Sequence, residues 1–480
     1  MMPKRVLIVG GGVSGLATAY YLRELSQNND IPLDLTVLEQ EPRLGGVIRT
    51  QHENGYLFEW GPDSFAAEPP QTLELCAKLG LEDELIGIPS GQRKVYMLDR
   101  NRLHRIPSSF YLIAPSNIRA LLELPFISFS GKLRMALELL IPARRDQSDE
   151  SLGDFVRRRF GREAMEKLAQ PFLGNIYGGD ICEISLRATL ARFHEMETKY
   201  GSMIRAAAAF FANRSKAEGP IARIKKEKGI FLSFRRGMQT LTDALVDRMP
   251  DIRWVTGMRL ERLRCGDEWT ATLDDGRTLS ADAVCLAVSS KRVAMLLAED
   301  HPLLAKELDS IPFRSMISVH LGFGPDAADP LPPGSGFLVA AKNLSQVMGG
   351  SFSGQKFEGR APAGRTLIRA FIGREHCDLL RDLPGEKIGS RVFEEIRAAF
   401  GLHRPPEAVH TAVHVQSMPQ YRVGHLDLLQ RLEEAVRKIP GLFLTGNSYR
   451  GVGVPGCVQR AEEAARRIWQ EIGAVEKAVI

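Results

Sequence analysis

The segment Lys4-Arg-Val-Leu-Ile-Val-Gly10-Gly-Gly-Val-Ser-Gly15-Leu-Ala-Thr-Ala-Tyr20 decides the fold of this chain. Its apolar, β-branched run Arg5–Val9 is typical of a parallel strand that is buried on both faces. Glycines follow at positions 10, 12 and 15, and the amphipathic run Leu16–Leu25 predicts a helix. A second apolar run, Leu33–Leu38, ends at Glu39. This order predicts a β-α-β unit that binds a dinucleotide.

Each glycine of the loop has a distinct expected role. Gly10 permits the tight turn, Gly12 lets a pyrophosphate approach the backbone, and Gly15 lets the helix pack closely on the strand. The phosphates are expected at the helix N-terminus, where backbone N–H groups and the helix dipole favour negative charge. Glu39 is expected to accept hydrogen bonds from ribose hydroxyls, which selects an unphosphorylated ribose.

Composition limits the class of protein. The 480 residues exceed what one hydrophobic core usually organises, and 44% hydrophobic with 25% charged residues is ordinary globular material. A net charge of +5 is too weak to indicate nucleic acid, and no nucleic-acid partner is expected. The cysteines are far apart without a CxxC pair, which favours a reducing, cytoplasmic setting over zinc or disulfides. They are Cys76, Cys182, Cys265, Cys285, Cys377 and Cys457.

One stretch is strongly basic: residues 93–145 hold ten Lys or Arg against three acids. This asymmetry suits an anionic ligand, an acidic lipid surface or simply a solvated basic face. The longest apolar run, Ala206–Ala212, is far below the ~18 residues that a spanning helix needs. No signal peptide is evident before the first strand, so we expect a cytoplasmic protein whose membrane contact, if any, is peripheral.

The ends of the chain have α/β patterns, whereas the middle is mainly helical (about 103–211) and then rich in strands. We therefore predict an α/β fold with a discontinuous, Rossmann-like nucleotide-binding domain, a mixed-sheet substrate domain and a helical insertion. The expected boundaries are 1–92, 222–300 and 408–480 for the nucleotide domain, 93–110 and 301–407 for the substrate domain, and 111–221 for the insertion.

Two further segments indicate FAD. Glu41-Pro-Arg-Leu-Gly45-Gly46-Val-Ile-Arg-Thr50 resembles the segment of flavin amine oxidases that runs beside the FAD pyrophosphate. Leu442–Cys457 has the pattern of a strand, a glycine-rich loop and a helix start. In that superfamily this helix N-terminus points at the flavin pyrimidine ring and stabilises the negative charge that develops during reduction.

Five motifs extend the resemblance over nearly the whole chain, in the same order, to the oxygen-dependent protoporphyrinogen/coproporphyrinogen oxidases, which are haem-pathway flavoenzymes. They are Phe58–Phe65, Pro171–Asp180, Gly359–Pro362, Met418–His425 and Tyr449–Gly456. The resemblance implies a fold like those of flavin amine oxidases and p-hydroxybenzoate hydroxylase. It also implies FAD contacts at Gly10, Gly11, Gly12, Val13, Ser14, Gly15, Glu39, Gln40, Val47, Gly61, Pro62, Asp63, Ser64, Leu260, Asn447, Val452, Gly453 and Val454.

For the substrate, the resemblance implies that the backbone carbonyl at Asn175 accepts pyrrole N–H bonds. Apolar walls are implied at Gly336, Met348 and Phe371. This chain departs from the pattern twice: Asn175 stands where many relatives have Gly, and Gly373-Arg-Glu375 replaces Gly-Gly-Ser.

The implied reaction is hydride abstraction from a porphyrinogen methylene bridge by FAD, with dioxygen as acceptor and hydrogen peroxide as product. No catalytic side chain or metal is expected. His410 and His414 have metal-like spacing only on a helix, and their β-branched surroundings predict a strand.

The segment 66–70 lacks Lys and Arg, which favours the two-propionate substrate protoporphyrinogen IX, oxidised to protoporphyrin IX. Coproporphyrinogen III, with four propionates and coproporphyrin III as product, is the alternative. Candidate propionate partners are Arg93, Lys94, Arg102 and Arg105.

Other readings stay open. The chain could be another flavin amine oxidase or a carotenoid desaturase, although the C-terminal motif offers Tyr449 and no second member of an aromatic cage. It could also be a non-catalytic binder like the GDP-dissociation inhibitors, against which the intact phosphate loop and Glu39 argue. By analogy with the family, the helical region is expected to rest on the membrane face, and a homodimer is left open.

Overall fold

The computed structural model describes residues 3–146, 148–213, 219–340 and 345–477. Its strands are β1 Lys4–Val9, β2 Leu33–Glu39, β3 Thr50–Glu53, β4 Tyr56–Glu59, β5 Phe65–Ala66, β6 Leu85–Gly87, β7 Val95–Asp99, β8 Arg102–Arg105, β9 Phe110–Tyr111, β10 Ala114–Pro115, β11 Phe231–Phe234, β12 Arg253–Thr256, β13 Leu260–Cys265, β14 Trp269–Leu273, β15 Thr278–Ala281, β16 Ala283–Leu286, β17 Phe313–Phe323, β18 Gly336–Val339, β19 Val347–Ser351, β20 Thr366–Gly373, β21 Ala408–Pro419 and β22 Leu442–Leu444.

The helices fall between these strands and cluster in the middle of the chain. They are α1 Val13–Asn28, α2 Gln71–Leu79, α3 Arg119–Leu122, α4 Phe129–Ala136, α5 Leu152–Phe160, α6 Arg162–Ala164, α7 Gln170–Tyr177, α8 Leu186–Thr189, α9 Ala191–Tyr200, α10 Met203–Asn213, α11 Pro220–Lys228, α12 Gln239–Asp247, α13 Ser290–Leu297, α14 Pro302–Asp309, α15 Ser353–Lys356, α16 Arg374–Leu380, α17 Gly385–Ile396, α18 His425–Val436 and α19 Val454–Lys477.

A five-stranded sheet with the order β12-β2-β1-β16-β22 carries the nucleotide-binding motifs. All four strand pairs are parallel, as the continuous apolar runs predict, because strands covered by helices on both faces have no polar side. The chain leaves β1 toward β2 on one side and returns through β16 on the other. In such sheets a ligand binds at the carboxyl ends of the strands, at the point where the order reverses. The predicted α/β fold is confirmed.

A seven-stranded mixed sheet, β21-β17-β20-β19-β18-β7-β8, forms the second layer. The pair β7–β18 is parallel and its other pairs are antiparallel. Along β17 the buried apolar residues Ile317, Val319 and Leu321 face the core formed with α17, whereas Ser318 and His320 face the opposite side. Strand β21 belongs to this sheet, although the sequence-based boundary places 408–419 in the nucleotide domain. We propose a boundary near residue 420.

The helical insertion is less uniform than the sequence pattern indicates. Strand β8 and the short pair β9–β10 precede its helices. Ser151 caps the start of α5, because its hydroxyl accepts a hydrogen bond from the Asp154 N–H. At its centre, the fully buried guanidinium of Arg159 pairs with the Glu138 carboxylate. None of the described helices is long and apolar enough to cross a membrane.

Candidate active site

The glycine loop after β1 forms a backbone surface that side chains would fill. A Cβ placed on Gly15 would lie 1.9 Å from the Gly10 carbonyl oxygen, and one on Gly10 would lie 2.8 Å from the Ala287 oxygen. Gly10 also has a φ of 109°, which other residues rarely adopt. Helix α1 begins at Val13 with no side-chain cap and no acid in its first turn, so its N-terminal N–H groups face the loop without a protein anion.

The second glycine pair lies directly against this loop. The Gly45 N–H donates a 2.8 Å hydrogen bond to the Gly11 carbonyl, and a Cβ on Gly46 would lie 3.0 Å from the Gly12 Cα. The Arg43 guanidinium holds the turn by donating to the carbonyl oxygens of Leu44, Gly46 and Ile48. The Arg43 side chain therefore holds the conformation of the glycine pair by donating hydrogen bonds to the backbone carbonyls of this turn.

Glu39 ends β2 and is tied to the same loop. Its Oε2 accepts from the Gly11 N–H at 2.6 Å and its Oε1 from the Glu41 N–H at 2.9 Å. Each oxygen keeps a further lone pair, so the carboxylate can still accept hydrogen bonds from ribose hydroxyls. Gln40 beside it is exposed. Leu260 begins strand β13, and the Met258 N–H two residues earlier donates to the Glu39 carbonyl, so Leu260 lies near the end of β2.

The segment Gly61–Ser64 lies beside Val47. A Cβ on Gly61 would lie 2.1 Å from the Val47 carbonyl oxygen, so this close approach needs glycine. The Val47 side chain is 54% exposed, although the chain around it is largely covered. Pro62 continues the turn, and the Ser64 hydroxyl donates to Asp63 at 2.8 Å. An apolar side chain exposed beside a glycine-lined turn is available to a planar ligand.

Two cations that sequence reasoning missed, the largely buried Lys356 and the buried Arg369, hold this segment from the seven-stranded sheet and the helix beside it. Lys356 on α15 donates to both carboxylate oxygens of Asp63 at 2.8 Å. Arg369 on β20 is 4% exposed and donates to the Gly61 carbonyl at 2.6 Å. Burial raises the pKa of Asp63, but the charges of Lys356 and Arg369 outweigh it and lower that pKa well below its usual range. An arginine inside the apolar run Thr366–Ile372 was the available signal.

The C-terminal loop opens at the same edge of the parallel sheet. The Asn447 carbonyl accepts from the Tyr421 hydroxyl, and the Ser448 hydroxyl accepts from the Ser290 N–H at 3.0 Å. Gly446 has a φ of 115°, and a Cβ there would meet nothing nearer than 4.0 Å. The remaining predicted contacts, Val452, Gly453 and Val454, lead into α19, which has no acid in its first turn.

These features fit FAD. The N-termini of α1 and α19 follow β1 and β22 of one parallel sheet, and neither first turn contains a carboxylate that would compete with phosphate or reduced flavin. The glycine loop directly precedes α1, and Glu39 and the exposed Val47 follow α1 in the sequence. A nicotinamide or FAD dinucleotide could use the first helix, but the second helix N-terminus matches the additional ring system of a flavin.

Three of the four predicted substrate residues come together on one face of the seven-stranded sheet. The Asn175 side-chain amide donates to the Met348 carbonyl at 2.8 Å, and Phe371 lies opposite Gly349 in the adjacent strand. Asn175 is in the last turn of α7, where carbonyl oxygens lack partners farther along the helix. Gly336 is buried opposite Ser351, roughly 10 Å along β19 from Met348 at 3.3 Å per residue.

The histidines are on a strand, as predicted. His410 and His414 lie on β21, where the first contacts Glu53 at 3.0 Å and the second contacts the Trp60 carbonyl at 2.8 Å. Both therefore have contacts with the segment that leads into Gly61. Of the candidate propionate partners, Arg102 and Arg105 are exposed on the edge strand β8.

Comparison with known proteins agrees with this geometry. The family model described as flavin containing amine oxidoreductase matches residues 13–469. The chain is 33% identical to the coproporphyrinogen III oxidase of Bacillus subtilis (strain 168), over 96% of this chain and 97% of that protein. It is 29% identical to the chloroplastic protoporphyrinogen oxidase 1 of Spinacia oleracea, over 96% and 83%. A crystal structure from Exiguobacterium sp. 255-15, provisionally assigned as a protoporphyrinogen oxidase, superposes with a TM-score of 0.85 at 30% identity, covering 98% of this chain and 99% of that one. The chain therefore belongs to the flavin-containing amine oxidoreductases and, within them, to the protoporphyrinogen/coproporphyrinogen oxidase family of FAD-dependent enzymes.

Proposed function

We propose that this chain oxidises a porphyrinogen to a porphyrin in haem biosynthesis. The observation that carries the proposal is the 33% identity, over almost the full length of both chains, to a coproporphyrinogen III oxidase. The apposition of Asn175, Met348 and Phe371 beside the glycine-lined cofactor cleft supports it.

We assign the cofactor to the residues that sequence analysis indicated. The pyrophosphate would lie on the N-terminus of α1 between Gly10–Gly15 and the Gly45-Gly46 pair, and the ribose on Glu39. The flavin end would lie between Val47, the segment Gly61–Ser64 and the loop that leads into α19. Because Lys356 and Ser64 already contact the Asp63 carboxylate, Asp63 would meet the cofactor through its backbone.

When bound, FAD supplies the hydride acceptor. The chain itself has to hold the macrocycle flat and keep water away from the reacting carbon. The Asn175 carbonyl would accept pyrrole N–H bonds, and Phe371 and Met348 would provide apolar walls. The N-terminus of α19 would stabilise negative charge on a flavin bound beside it. We propose dioxygen as the final acceptor, which predicts one hydrogen peroxide for each hydride removed.

We propose coproporphyrinogen III as the substrate, with protoporphyrinogen IX as the second candidate. The preference for protoporphyrinogen rested on the absence of cations in the segment 66–70. In three dimensions, however, Arg192 and Lys225 both form ion pairs with Glu68. Cations from distant helices thus reach the segment, and the argument from its local composition fails. The 33% identity to a coproporphyrinogen III oxidase likewise favours the four-propionate substrate.

The test compares both substrates, prepared anaerobically, in the FAD-loaded enzyme. Porphyrin fluorescence and peroxide are followed after oxygen is admitted, and kcat/KM is measured for each substrate. A higher kcat/KM for coproporphyrinogen III supports the assignment, and the reverse order supports protoporphyrinogen IX. Inactivity toward both substrates, in a protein with full FAD occupancy, contradicts the proposed function.

We further propose that α4 and its flanks contact an anionic lipid surface peripherally. Four apolar side chains there are strongly exposed, with Phe129 at 81%, Leu140 at 78%, Leu122 at 67% and Leu133 at 57%. Arg119, which is also exposed, supplies positive charge near them. A set of exposed apolar side chains with a cationic side chain nearby suits insertion into the headgroup region of a membrane.

Sedimentation with phosphatidylcholine vesicles containing phosphatidylglycerol tests this contact. Replacing Phe129 and Leu133 with Ser should lower vesicle binding roughly tenfold or more, since each loses up to ~1.5–3 kcal/mol of burial. Leu303→Ser is the matched control, because Leu303 is 82% exposed on α14, outside the insertion. If the double variant and the control bind vesicles equally, α4 and its flanks are not the lipid-binding surface.

A further inference from the structure

The outer edge of β22 borders space that the cofactor assignment does not use. This strand is the last of the five-stranded sheet, next to β16. Two adjoining cavities of about 320 and 80 Å³ lie along it, between α18 and α19, and Val436 and Arg467 line both. The glycine loop after β1 is two strands away, on the order of 10 Å at the usual strand spacing.

Three residues that line the smaller cavity each have a buried polar atom without a hydrogen-bond partner among the described residues. These atoms are Thr445 Oγ1, the Tyr449 hydroxyl and Arg450 Nε. Thr445 is only 2% exposed. An unpartnered buried polar atom destabilises the fold, so such atoms usually have a ligand or ordered water. All three residues line the same cavity, so a polar ligand there has hydrogen-bonding groups within its wall.

The charge of the lining is positive. Arg450, Arg460 and Arg467 line the smaller cavity together with Glu433 and Glu463. Two ion pairs, Arg450–Glu433 at 3.2 Å and Arg460–Glu463, neutralise both acids. Arg467 forms no ion pair with any residue in the part of the chain that the structure describes. Arg467 is exposed and lines both cavities, and the larger one is also lined by Arg437 and Glu471. The two linings together hold four arginines and three glutamates, which leaves one net positive charge.

Size restricts what this cavity can hold. A water molecule needs roughly 10–15 Å³ of such volume, so 80 Å³ accommodates several waters or one group of the size of phosphate or carboxylate. A nucleotide or a tetrapyrrole does not fit. Hydroxyl and guanidinium groups all donate to anionic oxygens, and such charge-assisted hydrogen bonds are among the stronger ones in proteins.

We propose that the cavity between α18 and α19 at the outer edge of β22 binds a small oxyanion, a phosphate or carboxylate group, through Arg467, Arg450, Thr445 and Tyr449. Tyr449 belongs to the loop that leads into α19, so this site adjoins the flavin end of the proposed cofactor site but uses different residues. It goes beyond the proposed function and does not depend on it.

Isothermal titration calorimetry of the FAD-loaded full chain tests the site, with inorganic phosphate in one arm and acetate in the other. Sodium chloride holds the ionic strength constant. We expect saturable one-to-one binding of at least one anion. Arg467→Gln should weaken it at least tenfold and Thr445→Val several-fold. Arg466→Gln is the matched control, since Arg466 is the neighbouring residue, points to solvent and pairs with Glu462 outside the cavity.

The two arms identify the group. Binding of phosphate alone indicates a phosphate site, binding of acetate alone indicates a carboxylate site, and binding of both indicates a general oxyanion site. Circular dichroism and flavin absorbance establish that each variant is folded and loaded. No heat beyond the chloride control in either arm would mean that water alone fills the cavity and overturns the proposal. Unchanged affinity in Arg467→Gln overturns it equally.

Discussion

The guanidinium of Arg369 donates a 2.6 Å hydrogen bond to the carbonyl oxygen of Gly61, which lies 308 residues earlier in the chain. The same nitrogen is 3.2 Å from the Ser318 hydroxyl and 3.3 Å from the Trp60 carbonyl. A buried cation of the seven-stranded sheet thus fixes the peptide orientation of a segment that we assign to the flavin. The contact joins the two layers of the fold at the cofactor cleft.

Arg369→Met should weaken FAD binding about 10- to 100-fold. A hydrogen bond from a charged group contributes ~1.5–3 kcal/mol, and its loss releases the Gly61 carbonyl. Titration of the apoprotein with FAD, followed by quenching of flavin fluorescence, measures the change. The control is Arg397→Gln, because Arg397 is exposed on the surface and forms its ion pair with Glu394 on the same helix end. If Arg369→Met and the control bind FAD equally, the contact does not support the cofactor.

Asp63→Asn should destabilise the protein by about 3–5 kcal/mol at pH 7, because it leaves the largely buried ammonium group of Lys356 without its anionic partner. The double variant Asp63→Asn with Lys356→Met should recover much of that loss. Since the folded-state pKa of Asp63 is lowered, its stabilising effect is full above its unfolded pKa of about 3.9 and is lost as pH falls below it.

Urea unfolding at pH 7 and at pH 3 measures both effects. The difference in unfolding free energy between wild type and Asp63→Asn should shrink at the lower pH. A difference that is the same at both pH values would show that the ion pair does not stabilise the fold.

Local patterns explain why the cofactor loop was predictable from sequence. The turn between β1 and α1 and the Glu39 carboxylate each depend on residues close together in the chain. Strands β1 and β2 lie within a residue of their predicted bounds, whereas α1 extends three residues beyond its predicted span at each end. Glycine at position 15 is likewise dictated by a contact within the loop, with the Gly10 carbonyl oxygen, whereas Gly10 is confined by the distant Ala287.

Contacts between distant segments were not predictable. The Lys356–Asp63 pair spans 293 residues, and nothing in the short segment around Lys356 shows that it becomes buried. Strand β21 follows a helix, as a strand of either sheet would, and only its pairing with β17 assigns it to the second layer. The argument about cations near residues 66–70 failed for the same reason, because Arg192 and Lys225 arrive from other helices.

Glu59 should make the protein less stable as pH rises from about 4.5 to about 7. Burial is the main cause that raises its pKa from 4.5 to about 7, while the Met238 N–H and the Thr50 hydroxyl donate to it. The folded state therefore holds a proton that the unfolded chain loses above pH 4.5, and stability falls between about pH 4.5 and 7. The full effect corresponds to roughly 3 kcal/mol.

Glu59→Gln cannot titrate and should lack this part of the pH dependence. Denaturant unfolding of wild type and variant at pH 5, 6, 7 and 8 measures it, with Glu74→Gln, on the exposed side of α2, as the control. Parallel pH profiles for wild type and Glu59→Gln would show that this carboxyl stays ionised throughout.

Substitutions at Gly12 and Gly15 should separate the two roles of the glycine loop, which are close packing of the fold and binding of the pyrophosphate. A Cβ on Gly15 would lie 1.9 Å from the Gly10 oxygen, so Gly15→Ala should lower the melting temperature of the apoprotein. Gly12 has φ −76° and ψ 177°, and a Cβ there would meet nothing nearer than the Gly46 Cα at 3.9 Å. Gly12→Ala should therefore keep the stability of the apoprotein or raise it by about 0.4–1 kcal/mol.

The added methyl group of Gly12→Ala would nevertheless project from the residue that precedes α1, where we place the pyrophosphate. FAD affinity should therefore fall about 100-fold or more while the fold is intact, because the phosphates could no longer reach the N–H groups of the first turn. Thermal unfolding of the apoprotein and FAD titration of the same preparation measure the two effects separately. Wild-type FAD affinity in a stable Gly12→Ala variant would move the pyrophosphate away from this loop.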